Sequence, residues 1–204
     1  QQEKEAGPHL EKSAALDSKN KEIYFQLGDA RFRQNNYSGA IESYDRSISL
    51  GANDEVMYNN RGKAKLNSSL VKESVLDFDR ALALRKDYTL ALKNRASAKY
   101  QLKDYPGVIA DAAIVVARGE ATADEFAILG VSKFQTKDFA GAVPDLTKAI
   151  DNGDSKPATY VARAYSLFEQ KEYDKAIPDF NKSIELGESA SDLFYKRGTS
   201  KFYL

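Results

Sequence analysis

Residues 21–54 read KEIYFQLGDARFRQNNYSGAIESYDRSISLGAND, and residues 157–190 read PATYVARAYSLFEQKEYDKAIPDFNKSIELGESA. Aligned without a gap, the two stretches share a small residue at the eighth place (Gly28, Ala164), a phenylalanine at the twelfth and a glycine at the thirty-first. A pattern that returns at a fixed spacing, here 34 residues, is the signature of a repeat protein. We therefore number the places of this unit from one to thirty-four and follow them along the chain.

The same pattern continues through most of the sequence. Units begin at Lys21, Glu55, Thr89, Ala123, Pro157 and Ser191. Place eight holds Gly28, Gly62, Ala96, Gly130, Ala164 and Gly198, and place ten holds Ala30, Ala64, Ala98, Ser132, Ser166 and Ser200. Place twelve is large and apolar in every unit. Two rows of small residues beside a row of large ones are expected where two helices approach closely.

Each unit predicts a pair of helices. Within a unit the apolar places fall at helical spacing in two runs of about 14 residues, separated by a polar turn. Gly51, Gly119, Gly153 and Gly187 follow the second run and predict left-handed caps at its C-terminal end. Thr122 and Glu125 predict a capping box before the fourth unit. Because one helix pair is too small to bury its own apolar face, the pairs must stack into a solenoid.

Two further rows give a resemblance to a known family. Place twenty holds alanine (Ala40, Ala142, Ala176), and place twenty-four holds an aromatic ring (Tyr44, Phe78, Phe180). With the small residue at place eight, these rows resemble the tetratricopeptide repeat family over residues 21–204. The sequence departs from the family in having no proline at place thirty-two.

We predict an all-α fold, a right-handed α-solenoid of antiparallel helix-turn-helix repeats of 34 residues, in one solenoid domain. Residues 1–20 are expected to be the remnant of a preceding repeat, with its second helix at about residues 8–17. Complete repeats are predicted at 21–54, 55–88, 89–122, 123–156 and 157–190, and residues 191–204 form the first helix of a sixth.

Composition excludes several classes of function. Lysine and arginine together number 30, as do aspartate and glutamate, so charge favours neither nucleic acid nor an anionic membrane as partner. No apolar run approaches the roughly 20 residues of a membrane helix, so membrane insertion is not expected. We expect a soluble chain in the cytoplasm or the periplasm. The absence of cysteine excludes disulfides and thiolate chemistry.

No catalytic or metal-binding pattern is found in the sequence. His9 is the sole histidine and lies near the terminus without an orienting partner. Asp77 and Asp79 would lie about 200° apart on a helix and cannot share a substrate face. Residues 151–154 lack the alternating ligands and the distal glutamate of a calcium loop. We predict a protein without enzymatic activity, cofactor or metal.

A groove lined by the first helices is the predicted binding site. In arrays that this sequence resembles, places two, five, six, nine and thirteen point into a concave face. The polar candidates are Asn59, Asn60, Lys63, Asn67, Lys93, Asn94, Ser97 and Gln101, and the apolar ones are Ile128, Val131, Val161 and Tyr165. Amide and ammonium groups suit an extended peptide. The apolar half, with Ala127 and Ala162, is either an exposed contact site or packed between neighbouring helices.

The expected partner is a protein or an extended peptide. Family members that bind the acidic tail of heat-shock proteins use a clamp of lysine, asparagine and arginine on three successive first helices. The corresponding positions here hold Phe25, Asp29, Asn60, Leu90 and Asn94, and only Asn60 fits. We therefore do not expect a clamp of that type, although Lys63 and Lys93 could hold an acidic ligand.

The leading hypothesis is a scaffold or adaptor that binds a partner segment in the groove. One alternative is an assembly module that self-associates or docks through its ends, where Phe194, Phe202, Tyr203 and Leu204 are expected to be uncovered. Another is a regulatory repeat array of a larger protein that carries a further domain.

Overall fold

The computed structural model describes residues 2–204, with side chains from Gly7 onwards. Within these residues there are twelve α-helices and no β-strand. The helices are α1 (Gln2–Leu16), α2 (Lys21–Arg33), α3 (Tyr37–Ser49), α4 (Glu55–Asn67), α5 (Val71–Leu84), α6 (Thr89–Gln101), α7 (Tyr105–Ala117), α8 (Ala123–Gln135), α9 (Phe139–Asp151), α10 (Pro157–Glu169), α11 (Tyr173–Glu185) and α12 (Ser191–Phe202). The predicted all-α helical-repeat fold is confirmed. α1 begins earlier than the expected residue 8, and Pro8 lies inside it.

The helices group into two compact units. The N-terminal unit ends at Leu102 and contains α1 to α6, and the C-terminal unit runs from Lys103 to Leu204 and contains α7 to α12. Within each unit, the two helices of a hairpin pack against each other and against the next hairpin.

Side-chain caps set where several first helices begin. The side chain of Asn20 accepts the backbone N–H groups of Glu22 and Ile23 at the start of α2, and Asp54 does the same at the start of α4. The predicted capping box of α8 is confirmed, since the backbone N–H of Thr122 donates to Glu125 at 2.8 Å. These helices start at the residues where the sequence units begin.

Left-handed residues end both helices of a hairpin. The predicted caps at Gly51, Gly119, Gly153 and Gly187 are confirmed by φ angles of +89°, +71°, +95° and +101°. The turn inside each hairpin also uses this conformation, at place fifteen, but without glycine. Its residues are Asn35, Ser69, Lys103, Lys137 and Lys171, with φ between +59° and +64°. A side chain in this region is strained.

The glycines of place eight are required by close packing inside the hairpin. A Cβ atom built on Gly28 would lie 2.5 Å from a ring carbon of Tyr44, and one on Gly130 would lie 2.6 Å from Cγ of Leu146. Both neighbours are fully buried. The second helix can therefore approach the first closely only where the residue at place eight is small.

Two arginines at place seven join the two helices of their own hairpin and also reach the hairpin before it. On α4, Nε of Arg61 donates to Asp77 of α5 at 2.8 Å, and Nη1 donates to Asp45 of α3 at 2.5 Å. On α10, Arg163 donates to Asp179 of α11 at 2.7 Å. For Arg163 the contact with the preceding hairpin is a hydrogen bond to Thr147 of α9 at 3.1 Å. Asp77 and Asp179 are buried, so these pairs replace the water that the carboxylates lose on folding. The sequence alone did not reveal this network.

Candidate functional site

Several predicted groove residues meet in a depression of about 390 Å³ in the N-terminal unit. We call it the N-terminal groove. It lies where α2, α4 and the start of α6 come together, and it is lined by Asp29, Phe32, Arg33, Val56, Asn59, Asn60, Lys63, Tyr88, Leu90 and Asn94. Four of the predicted residues, Asn59, Asn60, Lys63 and Asn94, are therefore brought to one place.

Three asparagines of the groove form a hydrogen-bonded row that ends on a carboxylate. Nδ2 of Asn94 donates to Oδ1 of Asn59 at 2.8 Å, and Nδ2 of Asn59 donates to Oδ1 of Asn60 at 3.2 Å. Nδ2 of Asn60 then donates to Oδ1 of Asp29 at 3.0 Å. Because a carboxylate only accepts hydrogen bonds, Asp29 fixes the orientation of Asn60, and each amide fixes that of the next. We call these four residues the amide ladder.

Asp29 is itself held by a core residue. The Tyr44 hydroxyl donates to Oδ1 of Asp29 at 2.6 Å, and Tyr44 is fully buried. Burial and this hydrogen bond both raise the pKa of Tyr44 well above its usual range, so the phenol remains a donor. Asp29 is half-buried, and its Oδ2 atom has no hydrogen bond or ion pair within the described residues. The ladder therefore rests on the core at one end and leaves one carboxylate oxygen available.

Cationic and apolar side chains border the ladder. Lys63 is exposed, with Nζ 5.6 Å from the centre of the Phe32 ring, within the range of a cation–π contact. Leu90 is 56% exposed. Arg33 also lines the groove and takes part in an interaction of its own. The groove thus offers a positive charge, an apolar surface and the amide groups to one ligand.

The other polar candidates lie outside this depression. Asn67, Ser97 and Gln101 are exposed, and Lys93 is half-buried and engaged in an interaction. Asn59 lines the depression but is only 3% exposed, so it offers little surface, and its contact with a partner stays a prediction. Its amide is turned inward because it bridges two other amides of the ladder.

The apolar candidates in the C-terminal unit do not form the exposed cluster that was one reading of the sequence. Val131 is 8% exposed, and Ala127 and Ala162 are also buried. Ile128 is half-buried, as are Val161 and Tyr165, which pack against a core cluster formed by Ala164, Leu167, Ala176, Phe180 and Leu193. α8 and α10 contact each other directly, so side chains between them lose their access to water. The alternative interpretation, in which these apolar side chains pack between neighbouring helices, describes them better.

An aromatic depression that the sequence did not indicate lies beside Tyr165. It measures about 270 Å³ and is lined by Phe134, Gln135, Lys137, Phe139, Tyr165 and Glu169. The Tyr165 hydroxyl donates to Asp192 at 2.7 Å, and burial together with this hydrogen bond raises the pKa of Tyr165. Of its lining, only Tyr165 was a candidate. Gln135 and Glu169 occupy place thirteen, a predicted groove place, but were not among the candidates, and the other lining residues occupy core or turn places of the repeat.

The residues expected at an uncovered end are exposed. The exposed fractions are 41% for Phe194, 83% for Phe202, 61% for Tyr203 and 73% for Leu204. A depression of about 450 Å³ lies along this face of α12. Docking through this face remains a prediction.

Acidic groups elsewhere are engaged in ion pairs. Asp77 is held by Arg61 and by Lys65, and Asp79 pairs with Arg95 at 2.6 Å. Within residues 7–204, no three acidic or histidine side chains come together as ligands for a metal ion. Among the helices of the described chain, none has the length and apolar character to cross a membrane.

Solved structures with the same fold include two repeat proteins of similar length. YrrB, described as a TPR protein with an unusual peptide-binding site, is 12% identical, and the match covers 93% of this chain and 97% of that one with a TM-score of 0.78. MamA from Desulfovibrio magneticus RS-1 is 19% identical over 81% of this chain and 94% of that one, with a TM-score of 0.71. At these identities the likeness shows the fold alone. No curated protein sequence matches the chain.

These structures do not show which protein family the chain belongs to, but a family model does. The model described as tetratricopeptide repeat matches residues 4–55 and 129–191, which together exceed half of the chain. The match includes the first and fifth units from which the repeat was read. The chain belongs to the tetratricopeptide repeat family.

Proposed function

We propose that this chain is a non-enzymatic scaffold or adaptor that binds an extended segment of a partner protein in its N-terminal groove. The amide ladder is the observation that carries the proposal. Three amides and a carboxylate are fixed in orientation before any ligand arrives, so binding does not have to order them.

The unused hydrogen-bonding groups of the ladder suit a peptide backbone. Each asparagine amide has two N–H donors and an acceptor oxygen, and the ladder consumes one donor of Asn60 and one donor of Asn94. Both side chains are half-buried and line the depression. Their second N–H groups, and the free Oδ1 of Asn94, match the alternating carbonyl and N–H groups of an extended chain.

Side chains around the ladder add selectivity. Lys63 is exposed and can pair with an acidic residue of the partner, while Leu90 offers an apolar contact. The family to which the chain belongs is one of protein-interaction modules, and YrrB, which shares the fold, is described as having a peptide-binding site. These likenesses support a binding function, whereas the choice of groove rests on the ladder.

The experiment is selection of peptides from a displayed random library on the 204-residue chain, followed by calorimetric titration of the selected peptides. Asn94→Ala removes the open end of the ladder without opening the core, and Lys63→Glu reverses the exposed charge. Each should weaken binding about five- to tenfold, the equivalent of one net hydrogen bond or ion pair.

Lys72→Glu is the matched control for the charge reversal. Lys72 is exposed on α5 and is not part of the groove lining, so its reversal should leave the affinity unchanged. Equal binding by the Asn94→Ala, Lys63→Glu and unmodified chains would show that the N-terminal groove is not the site.

A second candidate function is assembly through α12. It is favoured by the exposed aromatic face that carries Phe202 and Tyr203. Under this alternative, Phe202→Glu should abolish concentration-dependent association in sedimentation experiments, while leaving peptide binding by the groove intact.

A further inference from the structure

One oxygen of the groove carboxylate is saturated and the other is not. Oδ1 of Asp29 accepts the Tyr44 hydroxyl at 2.6 Å and the Asn60 amide at 3.0 Å. Within the described residues, Oδ2 accepts no hydrogen bond. Asp29 cannot turn to share its donors between the two oxygens, since Tyr44 is fixed in the core and Asn60 in the ladder.

A ligand that covers the groove changes the surroundings of this oxygen. In the free chain, Asp29 is half-buried and its Oδ2 atom is not fully buried, so solvent reaches it. An extended segment lying on Asn60 and Asn94 displaces that water. A buried carboxylate oxygen without a donor is strongly unfavourable, so a segment that offers no donor at this point is penalised. A positively charged donor gives a hydrogen bond roughly twice as strong as a neutral one.

From this geometry, and resting on the proposed function, we infer that the groove takes partner segments carrying a lysine or arginine whose side chain donates to Oδ2 of Asp29. The peptide backbone lies on Asn60 and Asn94, and the basic side chain points towards α2. The ligand class is thus an extended peptide with a basic residue at one fixed position.

The cations that border the groove limit this preference to a single position. Lys63 stands over the Phe32 ring, and Arg33 lines the same depression. A segment rich in basic residues would be repelled by Lys63. We therefore expect neutral or acidic residues beside the basic one, with an acidic residue placed to meet Lys63. A peptide that ends in a carboxylate at this point would face Asp29 and be rejected.

The variant Asp29→Asn tests this inference with little disturbance of the ladder. An asparagine at position 29 can keep its oxygen towards Tyr44 and Asn60, so both internal hydrogen bonds remain. Its nitrogen then replaces Oδ2, which turns the available acceptor into a donor. Asp79→Asn is the control, because it removes the same charge from α5 outside the groove lining.

Random peptide libraries are selected separately on the unmodified chain and on the two variants. The unmodified chain and Asp79→Asn should both enrich one basic residue at a fixed position, and Asp29→Asn should lose that enrichment. Replacing the basic residue of a selected peptide by glutamine should lower its affinity for the unmodified chain at least about tenfold. The same replacement should have little effect on binding to Asp29→Asn, which isolates the pair.

The two proposals fail in different ways. If Asn94→Ala weakens the selected peptides but their sequences show no basic position, or if Asp29→Asn keeps that position, the groove binds peptides and the Asp29 inference is wrong. If Asn94→Ala has no effect on any selected peptide, the groove function itself is wrong. Unchanged melting temperature and circular dichroism of Asp29→Asn show that a loss of selectivity does not come from unfolding.

Discussion

Replacing a glycine at place eight by alanine should destabilise the chain only where a second helix covers that glycine. In α8, a Cβ atom on Gly130 would lie 2.6 Å from Cγ and 2.8 Å from Cδ2 of Leu146, and 3.0 Å from the backbone nitrogen of the same residue. Leu146 is fully buried, and a backbone atom cannot move without shifting α9. Gly198 occupies the same place in α12, where a Cβ atom would meet nothing within 4 Å.

The magnitude follows from two opposing contributions. Replacing glycine by alanine inside a helix stabilises it by about 1 kcal/mol, whichever of the two positions is changed. Overpacking a filled core costs about 1–3 kcal/mol. Gly130→Ala should therefore lower the free energy of unfolding by about 1 kcal/mol, and Gly198→Ala should raise it by up to about 1 kcal/mol. Alanine is accommodated at Ala164 beside Phe180, so the cost at Gly130 is one of repacking and does not prevent folding.

Urea unfolding followed by circular dichroism measures both variants on the same unit, since Gly130 and Gly198 both belong to the C-terminal unit. The difference between the two variants isolates the steric cost, because the helix-propensity gain is common to both. We expect that difference to be about 2 kcal/mol. Two shifts of the same sign and equal size would refute the packing explanation of the small row.

Three further substitutions test how the hairpins are joined and turned. Lys171→Gly should raise the free energy of unfolding by about 0.5–1 kcal/mol, because Lys171 adopts a φ of +63° that glycine adopts without strain. An unchanged or lower melting temperature of this variant would contradict the prediction. Arg163→Met should destabilise the chain by about 3–5 kcal/mol, because it leaves Asp179 buried without a cation. Arg61→Met should destabilise the chain less, by about 2–3 kcal/mol, since Lys65 would still pair with the buried carboxylate of Asp77. Equal losses of the free energy of unfolding in Arg61→Met and Arg163→Met, measured by urea unfolding, would refute this role of Lys65.

The sequence predicted the fold well because its main determinant is periodic. The small residues of place eight are needed wherever a second helix crosses close by, and that need returns every 34 residues. The caps at Gly51 and Thr122 were also predictable, since each depends on residues adjacent in the chain. The inter-hairpin pairs of Arg61 and Arg163 were not predicted, because the partner lies on another helix and differs from repeat to repeat.

The candidate groove was predicted only in part, because a place number does not determine exposure. Val131 and Lys63 both occupy place nine, yet Val131 is 8% exposed and Lys63 is open to solvent. Asn59 was placed correctly along α4 but faces inward, since the neighbouring amides occupy its hydrogen-bonding groups.

Tyr44, which lies outside the expected groove positions, anchors the amide ladder through Asp29. The sequence did contain a signal for this contact. Place twenty-four carries Tyr44, Phe78, Ala112, Leu146 and Phe180, so only the first repeat has a hydroxyl in this core row. A buried hydroxyl requires a partner, and the same repeat is the only one with an aspartate at place nine. The pair of Tyr44 and Asp29 could therefore be read as one unit from the repeat alignment alone. In a repeat protein, a polar exception inside a core row thus indicates where the core supports a surface site. Here it supports the carboxylate that orients three amides, and the other oxygen of that carboxylate accepts no hydrogen bond within the described residues.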